Sequence, residues 1–588
     1  MRCSNCRSAA TPTSTAAAAS RSTWSGWSSA RPIATSSGSR WRRWRRREAM
    51  TRSYTGPMSS SLTPTPTPRR KLPIGIQNLA KLRQQGCYYV DKSGLAIDLI
   101  DSGSYFFLSR PRRFGKSLLV DTFKELFEGN RVLFTGLAAE TRWDWQKRHP
   151  VIRISFGGGV VQDAAGLLQR IQHNLRTNRS ALGLSRPDDI PADDVAGHLS
   201  DLIAQAHVRF GQTVVVLVDE YDKPILDNLT RPDVAREMRE GLRNLYSVLK
   251  EMDANLRFVF LTGVSKFSKV SLFSGLNNLR DVTLDARWSA LCGYTDADID
   301  TVFAPELPGL DRDEIRRWYN GYNWLGESVY NPFDVLLLFE NREFRPYWFE
   351  TGTPTFLVDL LAAKHFFTPD LSRVHASLTL LSTFDVEKIA PEALLFQTGY
   401  LTLHGVRQPI PGQWVYTLGY PNREVESSLN AALLEGYGVP DRESFDARIR
   451  LIELLRTADL PALQALFQAF FASIPHDWYR KNELAGFEGY YASVFYSHFA
   501  ALGLDIRVED ATHHGRIDMV VLFEGRVFIF EFKVVEQAAR GEALRQIRER
   551  GYADKYRARG EPIHLIGVEF SKADRNIVGF EVETLAAS

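Results

Sequence analysis

Arg110-Pro-Arg-Arg-Phe-Gly-Lys-Ser117 stands between an apolar run, Tyr105-Phe-Phe-Leu-Ser109, and a helical pattern over 117–128 that puts Leu118, Leu119, Thr122, Phe123 and Leu126 on one face. A Gly-Lys-Ser at such a strand-to-helix corner suits a phosphate, because free backbone N–H groups and the helix dipole point at an anion there. Gly115 lets the backbone come close. Lys116 is expected to reach the β- and γ-phosphates of ATP, and Ser117 to offer its hydroxyl to Mg²⁺. The spacing departs from G-x-x-x-x-G-K-[ST] at one position, where Arg110 replaces the first Gly. Arg110, Arg112 and Arg113 are therefore expected to add charge beside a triphosphate, with Arg113 counted among the nucleotide-binding residues.

Further along, Val214-Val-Val-Leu-Val218 reads as a strand covered on both faces and ends in Asp219 and Glu220. Asp219 is expected to hold Mg²⁺, directly or through water, and Glu220 to polarise the attacking water as general base. Another buried strand, 257–262, runs into Thr262-Gly-Val-Ser265-Lys266, where Ser265 is the polar residue expected to sense the γ-phosphate. A strand at 151–156 and helices at 195–209 and 233–252 complete an alternation that predicts a parallel sheet. Three strand ends then meet on one edge, where open α/β sheets bind ligands. An ordinary αβ core with solvated acids at its strand ends is the competing reading.

The composition, 44% hydrophobic and 24% charged over 588 residues, excludes collagen, coiled-coil and wholly disordered classes. No window approaches eighteen uninterrupted apolar residues, so no membrane span is expected. Four cysteines are too few for a disulfide framework, and the Cys3-x-x-Cys6 pair lacks the rest of a zinc ligand set. A reducing, cytoplasmic compartment is expected. The net charge of +3 hides an asymmetry: residues 1–50 carry +9, leaving −6 for the remaining 538. If the body meets nucleic acid, it does so through local patches and not through an overall field. Residues 1–70 are rich in Ser, Ala, Thr, Arg and Trp and read as disordered. A translation start at Met50 or Met58 is the preferred explanation of this tail, with a solvated basic tail and a transit peptide as alternatives.

The last hundred residues hold a second constellation. Glu524-Gly525 reads as a two-residue turn between an apolar strand that begins at Arg516-Ile-Asp518 and a return strand from Arg526 to Val534. That turn sets residues opposite one another when their numbers sum to 1049, so Asp518 faces Glu531. Lys533, two residues on, shares the face. Two opposed carboxylates in an apolar hairpin repel unless a cation lies between them, and Mg²⁺ prefers such oxygen ligands. Asp518 and Glu531 are thus the expected metal ligands. Lys533 beside them would orient or deprotonate a water for phosphodiester hydrolysis. Glu488, on a helix expected over 485–501, could add a third acid, and Gln546 lies on the following helix. A surface polar stripe is the competing reading. His513 and His514 read as a solvated turn.

Between the two sites, 391–430 reads helix, strand, turn, strand, helix, an order that suits a small winged-helix module. The chain resembles bacterial AAA-ATPase-like proteins that carry a C-terminal nuclease domain of the PD-(D/E)XK superfamily. The resemblance rests on Leu72-Pro-Ile-Gly-Ile-Gln77, Tyr89-Val-Asp-Lys92, Arg110–Ser117, Val218-Asp-Glu-Tyr-Asp222, Trp318-Tyr-Asn-Gly-Tyr322, Tyr330-Asn-Pro-Phe333, Gly399-Tyr-Leu401 and Gly419-Tyr-Pro-Asn-Arg-Glu-Val425. Toward the C-terminus it adds Gly515-Arg-Ile-Asp518, Glu531-Phe-Lys533 and Gln546-Ile547 with Gly551-Tyr552. It implies an α/β architecture of four parts: a tail (1–70), a P-loop ATPase domain of the ASCE type (71–285), a helical, winged-helix-like region (286–475) and a restriction-endonuclease-like domain (476–588). It implies Lys116, Ser117, Asp219 and Glu220 in ATPase roles, and Asp518, Glu531, Lys533 and Glu488 in nuclease roles. Nucleic acid, with DNA foremost, is the expected partner. A homo-oligomer could supply an arginine finger in trans, with Arg236, Arg239, Arg243 and Arg287 as candidates for one in cis. The alternative is an ATP-gated binding switch whose nuclease fold does not cut.

Overall fold

The computed structural model describes residues 68–266, 278–351, 357–358, 361, 368–382, 390–436, 441–473 and 488–587. Tail residues 1–67 lie outside that set.

In chain order, the first part includes β1 (Tyr105–Ser109), α1 (Lys116–Phe127), β2 (Val151–Ser155), α2 (Ala164–Leu182), α3 (Val195–Phe210), β3 (Val214–Asp219), α4 (Pro232–Glu251), β4 (Leu256–Gly263) and the short β5 (Arg280–Asp281). The strands form one parallel sheet in the order β2-β3-β4-β1-β5. Side-chain caps and left-handed glycines mark the helix limits: Asp163 and Asp194 accept from the amides of Gly166 and Gly197, and Gly183 and Gly211 close α2 and α3. Every residue of β1 and β3 is buried, because helices cover both faces of the sheet. The register sets Ser155 beside Asp219, Asp219 beside Thr262, and Ser109 beside Gly263. The strand ends carrying the expected chemistry therefore share one edge.

The middle includes α5 (Pro332–Asn341), β6 (Val374–Ser377), α6 (Pro391–Thr398), β7 (Thr402–Ile410), β8 (Gln413–Gly419), α7 (Arg423–Gly436), α8 (Asp441–Thr457) and α9 (Leu460–Ser473). The expected helix, strand, strand, helix order is present as α6, β7, β8 and α7. The antiparallel sheet runs β6-β8-β7.

The last part includes α10 (Glu488–Ala500), β9 (Asp505–Thr512), β10 (Gly515–Phe523), β11 (Arg526–Val535), α11 (Glu542–Glu549), β12 (Ile563–Ser571) and β13 (Ile577–Leu585). Its sheet order is β13-β12-β11-β10-β9, with β11 and β12 parallel and the other pairs antiparallel. The β10–β11 hairpin has the register expected from the turn: Met519 opposite Phe530, Val521 opposite Phe528, Phe523 opposite Arg526. Alternation then gives β11 two faces. Phe530 and Phe532 pack against Phe495 and Phe499 of α10, while Val527 and Ile529 pack with Leu544 and Ile547 of α11.

Candidate functional sites

Gly115 has φ +88°, a left-handed conformation that a side chain would strain, and α1 starts at the next residue. The first-turn amides of α1 are therefore free at the end of β1. A cavity of about 460 Å³ opens there, within the range of small-molecule sites. Arg112, Arg113, Gly115, Lys116, Ser117 and Glu220 line one part of it. Tyr89, Tyr294, Phe333 and Leu336 make another part apolar. The Lys116 ammonium donates to the carbonyls of Arg110 (2.9 Å) and Pro111 (2.8 Å). Burial pulls its pKa down, and the nearby Asp219 carboxylate opposes that shift.

Arg110 departs from expectation. It is fully buried and faces away from the cavity. Its guanidinium donates to the carbonyls of Ser109 (2.8 Å), Thr283 (3.1 Å) and Trp288 (3.0 Å) and lies 3.9 Å from the ring centroid of Trp324. Arg110 thus braces the loop from behind and brings no charge to a phosphate. Arg113 does border the cavity, with its guanidinium 4.8 Å from the ring centroid of Phe333.

Asp219 is buried, and its Oδ1 accepts no hydrogen bond. The Arg153 guanidinium lies 3.9 Å from its other oxygen, and an orphan acid oxygen at a strand end fits a cation ligand. Glu220 turns the chain at φ +52°, and burial, then the charge of Asp219, push its carboxyl up. Ser265 is committed elsewhere: its amide (2.5 Å) and hydroxyl (2.6 Å) both donate to Asp222 Oδ2, which also accepts from Val264 (3.0 Å). Ser265 therefore does not border the cavity, and the γ-phosphate sensor expected there is displaced by this clamp. Asp222, whose role the motif reading passed over, borders the cavity and holds the 264–265 turn. Its only signal was its place two residues beyond the paired acids.

At the second site Asp518 and Glu531 stand on the same face of the hairpin. Asp518 Oδ2 accepts from the amide of Phe532 at 2.8 Å. Glu531 is fully buried. Its Oε1 accepts from Lys533 Nζ (3.2 Å) and from the side-chain amide of Gln546, while its Oε2 accepts nothing. Burial first, and the Asp518 charge second, hold the Glu531 carboxyl well above the usual range. A buried acid oxygen without a donor, beside a second carboxylate, fits Mg²⁺. Lys533 also donates to the Phe532 carbonyl (2.8 Å), which fixes its ammonium beside the acids. Gln546 comes from α11, and its amide lies 3.5 Å from Tyr552 Oη.

Glu488 opens α10, but its side chain lies outside the described residues. His513 and His514 are exposed at the β9–β10 turn, as expected of a solvated turn. Among the described residues no three His, Cys, Asp or Glu side chains group as a metal cage. No described helix is long and apolar enough to cross a membrane.

Residues 73–273 match the family described as predicted AAA-ATPase, and residues 486–580 match the PD-(D/E)XK nuclease superfamily. The chain is 64% identical over 519 residues to a protein of Azotobacter chroococcum mcd 1 described as an uncharacterized protein in the vnfD 5′ region, an alignment covering 88% of this chain and 99% of that one. No solved structure matches. With the strand-to-helix corner at 115–117 inside the first match and the paired acids inside the second, the chain belongs to the predicted AAA-ATPase family and carries a C-terminal PD-(D/E)XK nuclease-superfamily domain.

Proposed function

We propose that this protein binds and hydrolyses ATP at the 115–117 corner and cuts nucleic-acid phosphodiester bonds, DNA foremost, at Asp518, Glu531 and Lys533, with the nucleotide governing the cut. The observation that carries the reading is the pair of orphan acid oxygens, Asp219 Oδ1 and Glu531 Oε2, each buried at a strand position beside a second acid.

Ser117 and Asp219 would hold Mg²⁺ at the first site, Asp518 and Glu531 at the second. When bound, Mg²⁺ supplies positive charge opposite the phosphoryl oxygens under attack. The amides at the start of α1 and the Lys116 ammonium bind the β- and γ-phosphates. Glu220 borders the cavity and accepts the proton of the attacking water, a role that its raised pKa serves. At the second site Lys533 orients the scissile phosphate or the water, and Glu488 is the helix acid. An arginine finger would come from a neighbouring copy in a homo-oligomer, and the cytoplasm is the compartment that suits these substrates.

The test is incubation of the full chain with labelled DNA and RNA, with and without Mg²⁺ and ATP. Mg²⁺-dependent cutting that responds to ATP supports the reading. Binding without cutting in every condition replaces it with an ATP-gated binding switch.

A further inference from the structure

Three further motifs, Trp318–Tyr322, Tyr330–Phe333 (whose Pro332 and Phe333 border the cavity) and Gly419–Val425, converge beside the loop at 110–117. At their centre is Glu424, fully buried at the start of α7. Its Oε1 accepts from the amides of Trp348 (2.8 Å) and Phe349 (3.2 Å). The indole N–H of Trp348 donates to the Arg112 carbonyl at 3.2 Å, inside the phosphate loop. Thr351, three residues beyond Trp348, borders the nucleotide cavity.

From the other side Asp334 of α5 faces Glu424. It too is fully buried, and neither of its oxygens accepts from a donor group. Burial, then the Glu424 charge, hold the Asp334 carboxyl well above its usual range. The neighbours Phe333 and Leu336 on α5 line the cavity. Glu424 therefore touches, at one remove, both the loop that cradles phosphate and the helix that walls the cavity.

The same N-terminal half of α7, within two turns of Glu424, meets the C-terminal domain. Tyr496 Oη of α10 donates to Glu426 (3.2 Å), and Ser497 Oγ donates to Asn430 Oδ1 (3.0 Å). Phe495 and Phe499 of α10 pack on Phe530 and Phe532, the residues on either side of Glu531. Close-packed elements of this kind shift between discrete arrangements and do not deform smoothly. Two buried carboxyls are a costly way to join helices if stability is the only need, since an apolar pair would serve.

We propose that Glu424 is a positioning residue that joins the nucleotide cavity to helix α10, so that ATP bound at 115–117 resets the helix packed behind Glu531. The inference rests on the reading of that cavity as an ATP site. Trp348 and the Asp334–Glu424 pair are the moving joint, α7 is the rod, and α10 is what it moves.

The test is amide hydrogen exchange of the full chain with and without Mg²⁺-ATP, read in residues 489–500, with ATP binding measured in parallel. ATP should change exchange in α10 of the unmodified chain by about 5-fold or more, the low end of allosteric couplings. Trp348→Phe keeps an aromatic ring and loses the N–H to Arg112. It should still bind ATP but lose the response in α10. Glu424→Ala should do the same, and Glu424→Gln, which keeps an acceptor for the two amides, should restore it. A response in Trp348→Phe equal to that of the unmodified chain overturns the joint. So does ATP binding with α10 silent in the unmodified chain. ATP that fails to bind, or whose binding ignores Lys116→Ala, overturns the nucleotide reading and the joint together.

Discussion

Lys116 and Arg110, six residues apart in one loop, point in opposite directions: the Lys116 ammonium donates to the Arg110 carbonyl at 2.9 Å, while the Arg110 guanidinium turns into the core toward Thr283 and Trp288. The Arg110 charge is therefore turned away from the cavity, which Lys116, Arg112, Arg113, Lys92 and Lys223 border. Lys116→Ala should weaken ATP binding by about 2–5 kcal/mol, the range for losing one partner of a buried charged contact, as read by titration calorimetry. Glu220→Gln should leave ATP bound and slow its hydrolysis by about 10²–10⁴-fold, read as phosphate release. Hydrolysis at the unmodified rate in either variant would remove these residues from the site.

Arg110→Gly restores the usual phosphate-loop glycine and is expected to do harm. It strips three carbonyls of their donor and Trp324 of its stacked cation. Each buried acceptor left unpaired costs about 1–3 kcal/mol. A fall in the denaturation midpoint, with no gain in ATP affinity, is the expected result. Equal stability with tighter ATP binding would show that the brace is dispensable.

Asp518→Asn and Lys533→Ala should each cut nucleic-acid cleavage by at least about 10²-fold, the scale for losing one charge-stabilising group, while ATP hydrolysis persists. A chelator should abolish cleavage, and added Mg²⁺ should restore it. Cutting that survives both substitutions would place the nuclease centre elsewhere.

His498 gives the fold an acid limb. It is buried on α10 beside Phe467 and Phe470, and burial, then the Arg448 charge, pull its pKa down to about 3. Below about pH 6.5 the unfolded chain takes up a proton at this ring that the folded chain refuses until near pH 3. The stability it confers is complete above pH 6.5 and is lost as pH falls through that window, amounting to about 2 kcal/mol by pH 5. His498→Phe should flatten this limb relative to the unmodified chain in urea denaturation between pH 5 and pH 7. Parallel pH profiles for the two would contradict the assignment.

The two hairpin acids were legible because strand geometry is nearly arithmetic. Once Glu524-Gly525 makes the turn, side-chain alternation forces Asp518 and Glu531 onto one face. The strand-to-helix corner at 115–117 was legible for a similar reason, since a strand, a glycine and a helix start in that order leave backbone amides free. Ser265 and Arg110 were not legible. Nothing local tells Ser265 that Asp222, 43 residues earlier, will take its hydroxyl, or Arg110 that carbonyls more than 170 residues later will take its guanidinium.

By itself the chain's letter order settled the secondary structure around both sites and the face each acid occupies, because those follow from short-range periodicity and turn chemistry. Only the tertiary structure decided which polar atoms are already paired and which are left over. Asp219 Oδ1 and Glu531 Oε2 are orphans, and Glu424 touches Trp348, only after distant segments have packed. A hydrogen bond between residues far apart in sequence leaves no periodic trace in either of them.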